Sequence, residues 1–233
     1  MKPPSPATAP TAFTAPTPPT PPTTSLTERA YASIEELIVT LQLAPGSAVS
    51  EPELSARLGI GRTPVREALQ RLARERLVTI LPRRGIVVSD INVASQLRLL
   101  DVRRELERLI ARSAARRATD TERVRFMAVA ASFEASAAAD DDIAFMRNDR
   151  DFNLLCSSAA HNEFAAGAMA LMHALSRRFW YLHHRASANM PRTAKLHAAI
   201  ARAIAAGDEA AAANASDKLL DALERFTRKT LST

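Results

Sequence analysis

From position 25 onward apolar residues recur at helical spacing, and turn formers mark the breaks between them. Ile34, Leu37, Ile38 and Leu41 fall at i, i+3, i+4 and i+7, one face of a first helix that Pro45 and Gly46 in "LAPGSAV" bring to an end. Ser50 with Glu53 is a capping-box pattern and predicts a second helix that buries Leu54 and Leu58 and stops at Gly59. After the turn "GIG", Thr63 is expected to cap a third helix with Pro64 at its first position. Val65, Ala68, Leu69 and Leu72 form the apolar face of that helix, which must pack on the first two. Segments 77–81 and 85–88 then read as two short strands joined by the tight loop "PRRG".

Beyond Asp90 the periodicity stays helical. Helices are expected near 95–117, 120–138, 142–159, 163–186, 191–206 and 208–231, separated at "TDT", "DDD", "HN", "NMP" and "GD". Six Ala-rich helices of this length form a bundle able to hold a pocket between facing side chains. The expected fold is therefore mainly α, an N-terminal winged helix-turn-helix with a short β-hairpin wing and a C-terminal all-α bundle. Three segments follow: a tail over 1–24, a winged helix over 25–90 and a bundle over 95–231. The tail carries nine of the 14 prolines, and its Pro, Thr and Ala composition predicts a disordered, partly polyproline-II extension.

Charge sharpens the picture. The net charge of +6 points only loosely to a polyanionic partner, but its placement is more telling. Eight arginines stand against two glutamates, Glu67 and Glu75, between Arg57 and Arg84, whereas the first helical segment has three glutamates and one arginine. With the apolar side of the third helix committed to packing, Arg66, Gln70 and Arg74 must look outward, with Arg62 just before them. Such a helix enters a DNA major groove N-terminus first, while the hairpin tip reaches the backbone or the neighbouring minor groove. Arg62 and Arg66 can fork onto guanine edges, and Thr63 can donate to a phosphate. Arg83 and Arg84 beside Gly85 suit a narrow groove.

Other chemistry is sparse. Cys156 is the lone cysteine, so no disulfide can form within the chain, and it is expected as a packed thiol in a reducing, cytoplasmic setting. No run of about 18 apolar residues predicts a membrane span, and no apolar stretch behind Lys2 predicts a secretory signal. No Ser–His–Asp, Cys–His or Gly-rich phosphate loop is legible, so no enzyme is expected. "YLHHR", Tyr181 to Arg185, reads as a mostly solvated stretch, because adjacent histidines diverge on a helix. "DDD" reads as a helix start. Adaptor use of the winged helix for an enzyme, or for protein contact alone, are the competing readings.

"ELSARLGIGRTPVREALQRLARERLV" followed by "RRG" resembles the GntR-type winged helix of bacterial transcription regulators, almost without a gap from Ala30 to Val88. The resemblance implies a homodimer on a palindromic double-stranded operator, with Arg62, Thr63 and Arg66 in the recognition helix and Gly85 in the wing. Gly61 stands where that family often has Ser, so one phosphate-binding hydroxyl is missing. "DVRRELERLIARSAARRAT", "NDRDFNLLCSSAAHN" and "KLHAAIARAIAAGD" resemble the FCD ligand-binding domain of the FadR-type subfamily. That resemblance implies a small carboxylate effector, often held through a divalent metal on an Asp, a His one turn later and two further His, with repression relieved by ligand. Asp149 and His197 match two of those positions, whereas Asn153 and Leu219 occupy the others. A neutral amide is a poor transition-metal ligand and Leu is none, so tight metal binding is not expected; Asp149 and His197 would be the donors if any. Arg103 matches a basic pocket position and could pair with the ligand carboxylate. Read from the residues alone, Asp149 could instead pair with Arg103 or Arg150, Asn153 could satisfy a buried backbone group, and His197 could be a hydrogen-bonded core histidine.

Overall fold

A computed structural model describes residues 25–83, 85–187 and 190–230, with backbone alone at 185–187. The tail over 1–24, expected to be disordered, lies outside them. Helix α1 (Leu26–Val39) starts at Ser25, whose hydroxyl accepts from the Glu28 N–H, and buries Ala30, Ile34 and Ile38. The short strand β1 (Ala48–Val49) leads to α2 (Glu51–Leu58), capped by Ser50 on the Glu53 N–H and closed by Gly59 at φ +63°. A left-handed C-cap of this kind favours glycine because no Cβ meets the following carbonyl.

Helix α3 (Arg62–Arg74) buries Val65, Ala68, Leu69 and Leu72 as expected, but its start differs. Gly61, not Thr63, is the N-cap, and no side chain caps the helix. Thr63 and Pro64 are already helical. Pro64 is tolerated there because the first N–H groups of a helix have no intrahelical partner. Strands β2 (Val78–Leu81) and β3 (Gly85–Val88) pair antiparallel, with Val78 opposite Val88 and Leu81 opposite Gly85. Strand β1 adds to the other edge of β3, giving the order β1-β3-β2.

The bundle comprises α4 (Val93–Arg117), α5 (Asp120–Ala138), α6 (Asp142–Ala159), α7 (Glu163–Ala170), α8 (His173–Ser187), α9 (Met190–Ala206) and α10 (Glu209–Lys229). Helix α4 packs on α10, α5 on α9, and α9 on α10. Thr119 and Glu122 form a reciprocal capping box at α5, and Asp141 within "DDD" caps α6. The single helix expected over 163–186 is two. The break at Leu171 and Met172 holds neither Gly nor Pro, and it lets α7 bury Met169 while α8 buries Ala174, Ser176 and Arg177. Phe126, Phe133, Phe145 and Phe179 are fully buried at the centre.

The two units meet through α1, which packs on α8. Its acidic residues pair with the bundle: Glu36 with Arg147 at 2.6 Å, and Glu35 with Arg150 at 2.9 Å and Arg177 at 2.5 Å.

Candidate nucleic-acid interface and bundle site

Arg62, Thr63 and Arg66 are all exposed on the first turns of α3, opposite the buried face. Arg62 makes no ion pair among the described residues. Arg66 is held by a fork: Nε lies 2.9 Å from Oε1 of Glu51, and Nη2 lies 2.8 Å from Oε2. The hydrogen bond from Arg66 is the first cause lowering the Glu51 carboxyl below its usual range. The fork fixes the guanidinium plane and leaves Nη1 free, which limits the side-chain freedom still to be lost on binding. Glu51 opens α2, and its role was not legible from spacing.

Glu51 apart, the acids of this segment, Glu67 and Glu75, are engaged away from the basic face. Glu67 accepts from the Thr27 hydroxyl at 2.6 Å on α1. Glu75 is buried and accepts from the Tyr31 hydroxyl at 2.7 Å and from Arg71 Nε at 3.1 Å. Burial comes first in raising the Glu75 carboxyl above its ordinary value, against the donors Tyr31 and Arg71. Arg71 also lies over the Tyr31 ring at 3.6 Å, so this arginine anchors α3 to α1 and is only partly available outward. At the wing, Arg83 is exposed at φ +62° and Gly85 stands at φ +96°. That φ accounts for the glycine on backbone grounds alone. Arg84 lies outside the described residues.

In the bundle, Arg103, Asp149, Asn153 and His197 are all buried. Asp149 Oδ1 lies 2.9 Å from His197 Nε2, and Oδ2 accepts from Asn153 Nδ2 at 3.0 Å. His197 Nδ1 sits 2.9 Å from the Thr193 carbonyl, which can only accept, so Nδ1 carries hydrogen. Burial works to raise the Asp149 carboxyl, but the His197 hydrogen bond and the charges of His197, Arg177 and Arg103 outweigh it and hold it below the usual value. Phe133 stacks on the imidazole at 4.6 Å, with Phe145 and Phe152 edge-on.

Two expectations change here. Asp149 pairs with neither Arg103 nor Arg150. Arg103 bonds Glu107 Oε1 at 2.5 Å and the Ser176 hydroxyl, while Arg150 reaches Glu35 and Arg177 takes the place beside Asp149 at 3.7 Å. Asn153 serves the Asp149 carboxylate, not a backbone group. The space around these residues is small. Arg103, Asp149, Ser176 and His197 line a cavity of about 20 Å³, and Asn153, Cys156, His173 and Ser216 line another of the same size. Each has room for about one water. Among the described residues no group of three or more His, Cys, Asp or Glu could hold a metal ion.

"YLHHR" also departs from its reading. His184 is buried, with Nδ1 2.8 Å from the Tyr181 carbonyl and Nε2 3.4 Å from Asp142, because α8 turns this face into the bundle. Cys156 is buried as expected, and burial pushes its thiol well up.

His173 escaped sequence reading, since only the fold carries it to Asn153. Neither ring nitrogen has a hydrogen-bond partner, and both are shut off from solvent. Burial first, then the Arg103 and Arg177 guanidinia against an opposing Asp149, lower its pKa from 6.5 to about 3. The folded chain thus holds His173 neutral, while the unfolded chain takes up a proton below 6.5. Its contribution to stability is full above that value and falls by about 1.4 kcal/mol per pH unit toward 3. Chemical denaturation at about pH 7.5 and about pH 5 is expected to show His173→Leu losing about 2 kcal/mol less than wild type on acidification. Equal losses would remove His173 from the acid response.

The family model for bacterial regulatory proteins of the gntR family matches residues 26–88, and the FCD domain model matches residues 98–222. An HTH-type transcriptional regulator in an unstable DNA locus of Streptomyces ambofaciens is 48% identical over 64 residues, 28% of this chain and 27% of that protein. The HTH-type transcriptional repressor RspR of Escherichia coli K12 is 35% identical over 97 residues, 42% of each chain. The matched stretch therefore spans less than half the length of these curated relatives. Among solved structures, E. coli McbR/YncC superposes with a TM-score of 0.76 at 17% identity, covering 89% of this chain and 99% of that one. Lar, which controls the expression of the Listeria monocytogenes agr system, gives 0.53 at 16%, covering 90% and 99%. At these identities the structural likeness speaks to the fold. The two family matches together take in both the winged helix and the bundle, and the chain belongs to the GntR family of bacterial regulatory proteins that carry an FCD domain.

Proposed function

We propose that this protein is a sequence-specific, DNA-binding transcription regulator of the FadR subfamily, acting as a homodimer on a palindromic operator in the bacterial cytoplasm. The observation that carries the reading is the outward face of α3. Arg62, Thr63 and Arg66 are exposed there together, while Glu67 and Glu75 of the same segment are engaged with α1. No helix among the described residues is long and apolar enough to cross a membrane. Selection from a random duplex pool is expected to enrich a two-fold symmetric site, bound more weakly as salt rises. No enrichment, or affinity indifferent to salt, would refute the reading. Arg83→Ala at the wing is expected to flatten the salt slope by up to about one unit.

The second part of the proposal is control of operator affinity by a small carboxylate in the bundle, through Arg103, Asp149, Asn153 and His197. The cations Arg103 and Arg177 support an anionic ligand, and the water-sized cavities mean that side chains must move to admit it. The site is proposed to work without a tightly held metal. Asp149 and His197 are one carboxylate and one imidazole, Asn153 and Leu219 add no imidazole, and Arg177 already supplies positive charge beside Asp149. A thermal-shift screen of small carboxylates, with and without Zn²⁺, tests both statements. A saturating ligand at about 100 times its Kd adds about 2.7 kcal/mol. Flat melting curves throughout would count against the effector, and a shift that needs Zn²⁺ would count against the metal-free site.

A further inference from the structure

We propose that the cleft between the winged helix and the bundle is a binding site for an amphipathic carboxylate, distinct from the site around Asp149. The cleft has a volume of about 650 Å³, within the usual range for small-ligand sites. Four arginines line it: Arg74 and Arg76 from the end of α3 and the turn after it, Arg98 from α4 and Arg178 from α8. Asp90 is the one acid among the lining residues, and Leu99, Val102 and Leu175 are part of an apolar wall. The cleft thus joins an excess of positive charge to a greasy surface, the combination that a carboxylate head on an apolar body satisfies.

The state of the arginines carries the argument further. Elsewhere the arginines of this chain repeatedly find carboxylates, as Arg66, Arg104, Arg108, Arg147, Arg150 and Arg177 do. Among the described residues Arg74, Arg76, Arg98 and Arg178 form no ion pair. Arg98 meets only the Ser95 hydroxyl, at 3.1 Å. Arg178 is only 2% exposed, yet its donors reach nothing more than the carbonyls of Ser89 at 2.7 Å and Asp90 at 3.1 Å, and its Nε has no partner. Burial lowers its pKa to about 10, with Asp90 opposing. A buried cation with only neutral hydrogen-bond partners is unfavourable alone, and the negative charge of an anion in the cleft that Arg178 lines offsets it. Two of the arginines belong to the winged helix and two to the bundle, so one bound anion touches both units.

Isothermal calorimetry on the full chain tests this without DNA, so the outcome is independent of the operator reading. The probe is octanoate, with 1-octanol as its uncharged counterpart. Octanoate is expected to bind once per chain, at least about tenfold more tightly than 1-octanol. Arg74→Ala with Arg98→Ala, both exposed helical positions outside any ion pair, is expected to weaken octanoate at least about tenfold while leaving the melting curve unchanged. Octanoate that fails to bind, binds no better than 1-octanol, or binds the double variant equally well overturns the proposal. A wild-type dimer that ignores octanoate and dissociates in the double variant assigns the cleft to a second copy, and likewise overturns it.

Discussion

Arg66→Ala is expected to weaken operator binding roughly ten- to hundredfold, the range for loss of a good bidentate base contact. The side chain is 60% exposed and pairs only with the likewise accessible Glu51, so the fold has little stake in it. Melting of the variant is therefore expected to match wild type, which separates lost recognition from lost structure. A base-reading arginine also has a signature that a phosphate contact lacks: the variant should lose discrimination at one position in each half-site while nonspecific binding changes much less. Fluorescence anisotropy on the selected site and on single-base variants reads both quantities. Undiminished affinity, or an equal loss on every sequence, would take base reading away from Arg66. A lysine in its place restores charge but not the fork to Glu51, so Arg66→Lys is expected to recover nonspecific binding better than discrimination.

How much of this could be read from the chain depended on the range of the interactions. Ser50, Gly59 and the four apolar residues of α3 act within one or two turns, and their signals located the recognition helix and the face it presents. The cap lies at Gly61, two residues before Thr63, and a Gly cap has no side-chain pattern to read. Strand β1 is two residues long, too short for any alternation to show. The break between α7 and α8 leaves Met169 and Ala174 buried on separate helices, and no local breaker announces it. In the bundle, Asp149 and Asn153 share a face because they are one turn apart, and that was legible. The ion partners were not. Arg177 and Glu35 are separated by 142 positions, and nothing in either neighbourhood names the other.

That hidden pair carries the largest expected effect on stability. The Arg177 side chain is 7% exposed and those of Glu35 and Asp149 are 5% and 10%, so the three charges share a nearly dry site between α1, α6 and α8. Arg177→Met removes the cation that Glu35 and Asp149 share. Arg150 still reaches Glu35, and His197 with Asn153 still serves Asp149, so each acid keeps part of its compensation. The expected cost is about 3–5 kcal/mol, the range for breaking a buried pair from one side and a large share of the stability of a typical domain. Adding Glu35→Gln to Arg177→Met removes one of the stranded charges and should recover part of that loss. Because Glu35 belongs to the winged helix and Arg177 to the bundle, the break should also loosen the coupling between the units. Calorimetry of wild type is expected to show one cooperative transition, and that of Arg177→Met to show the winged helix melting ahead of the bundle. A loss below about 1 kcal/mol would mean that the pair behaves as a surface contact, and the docking of α1 on the bundle would then need another source.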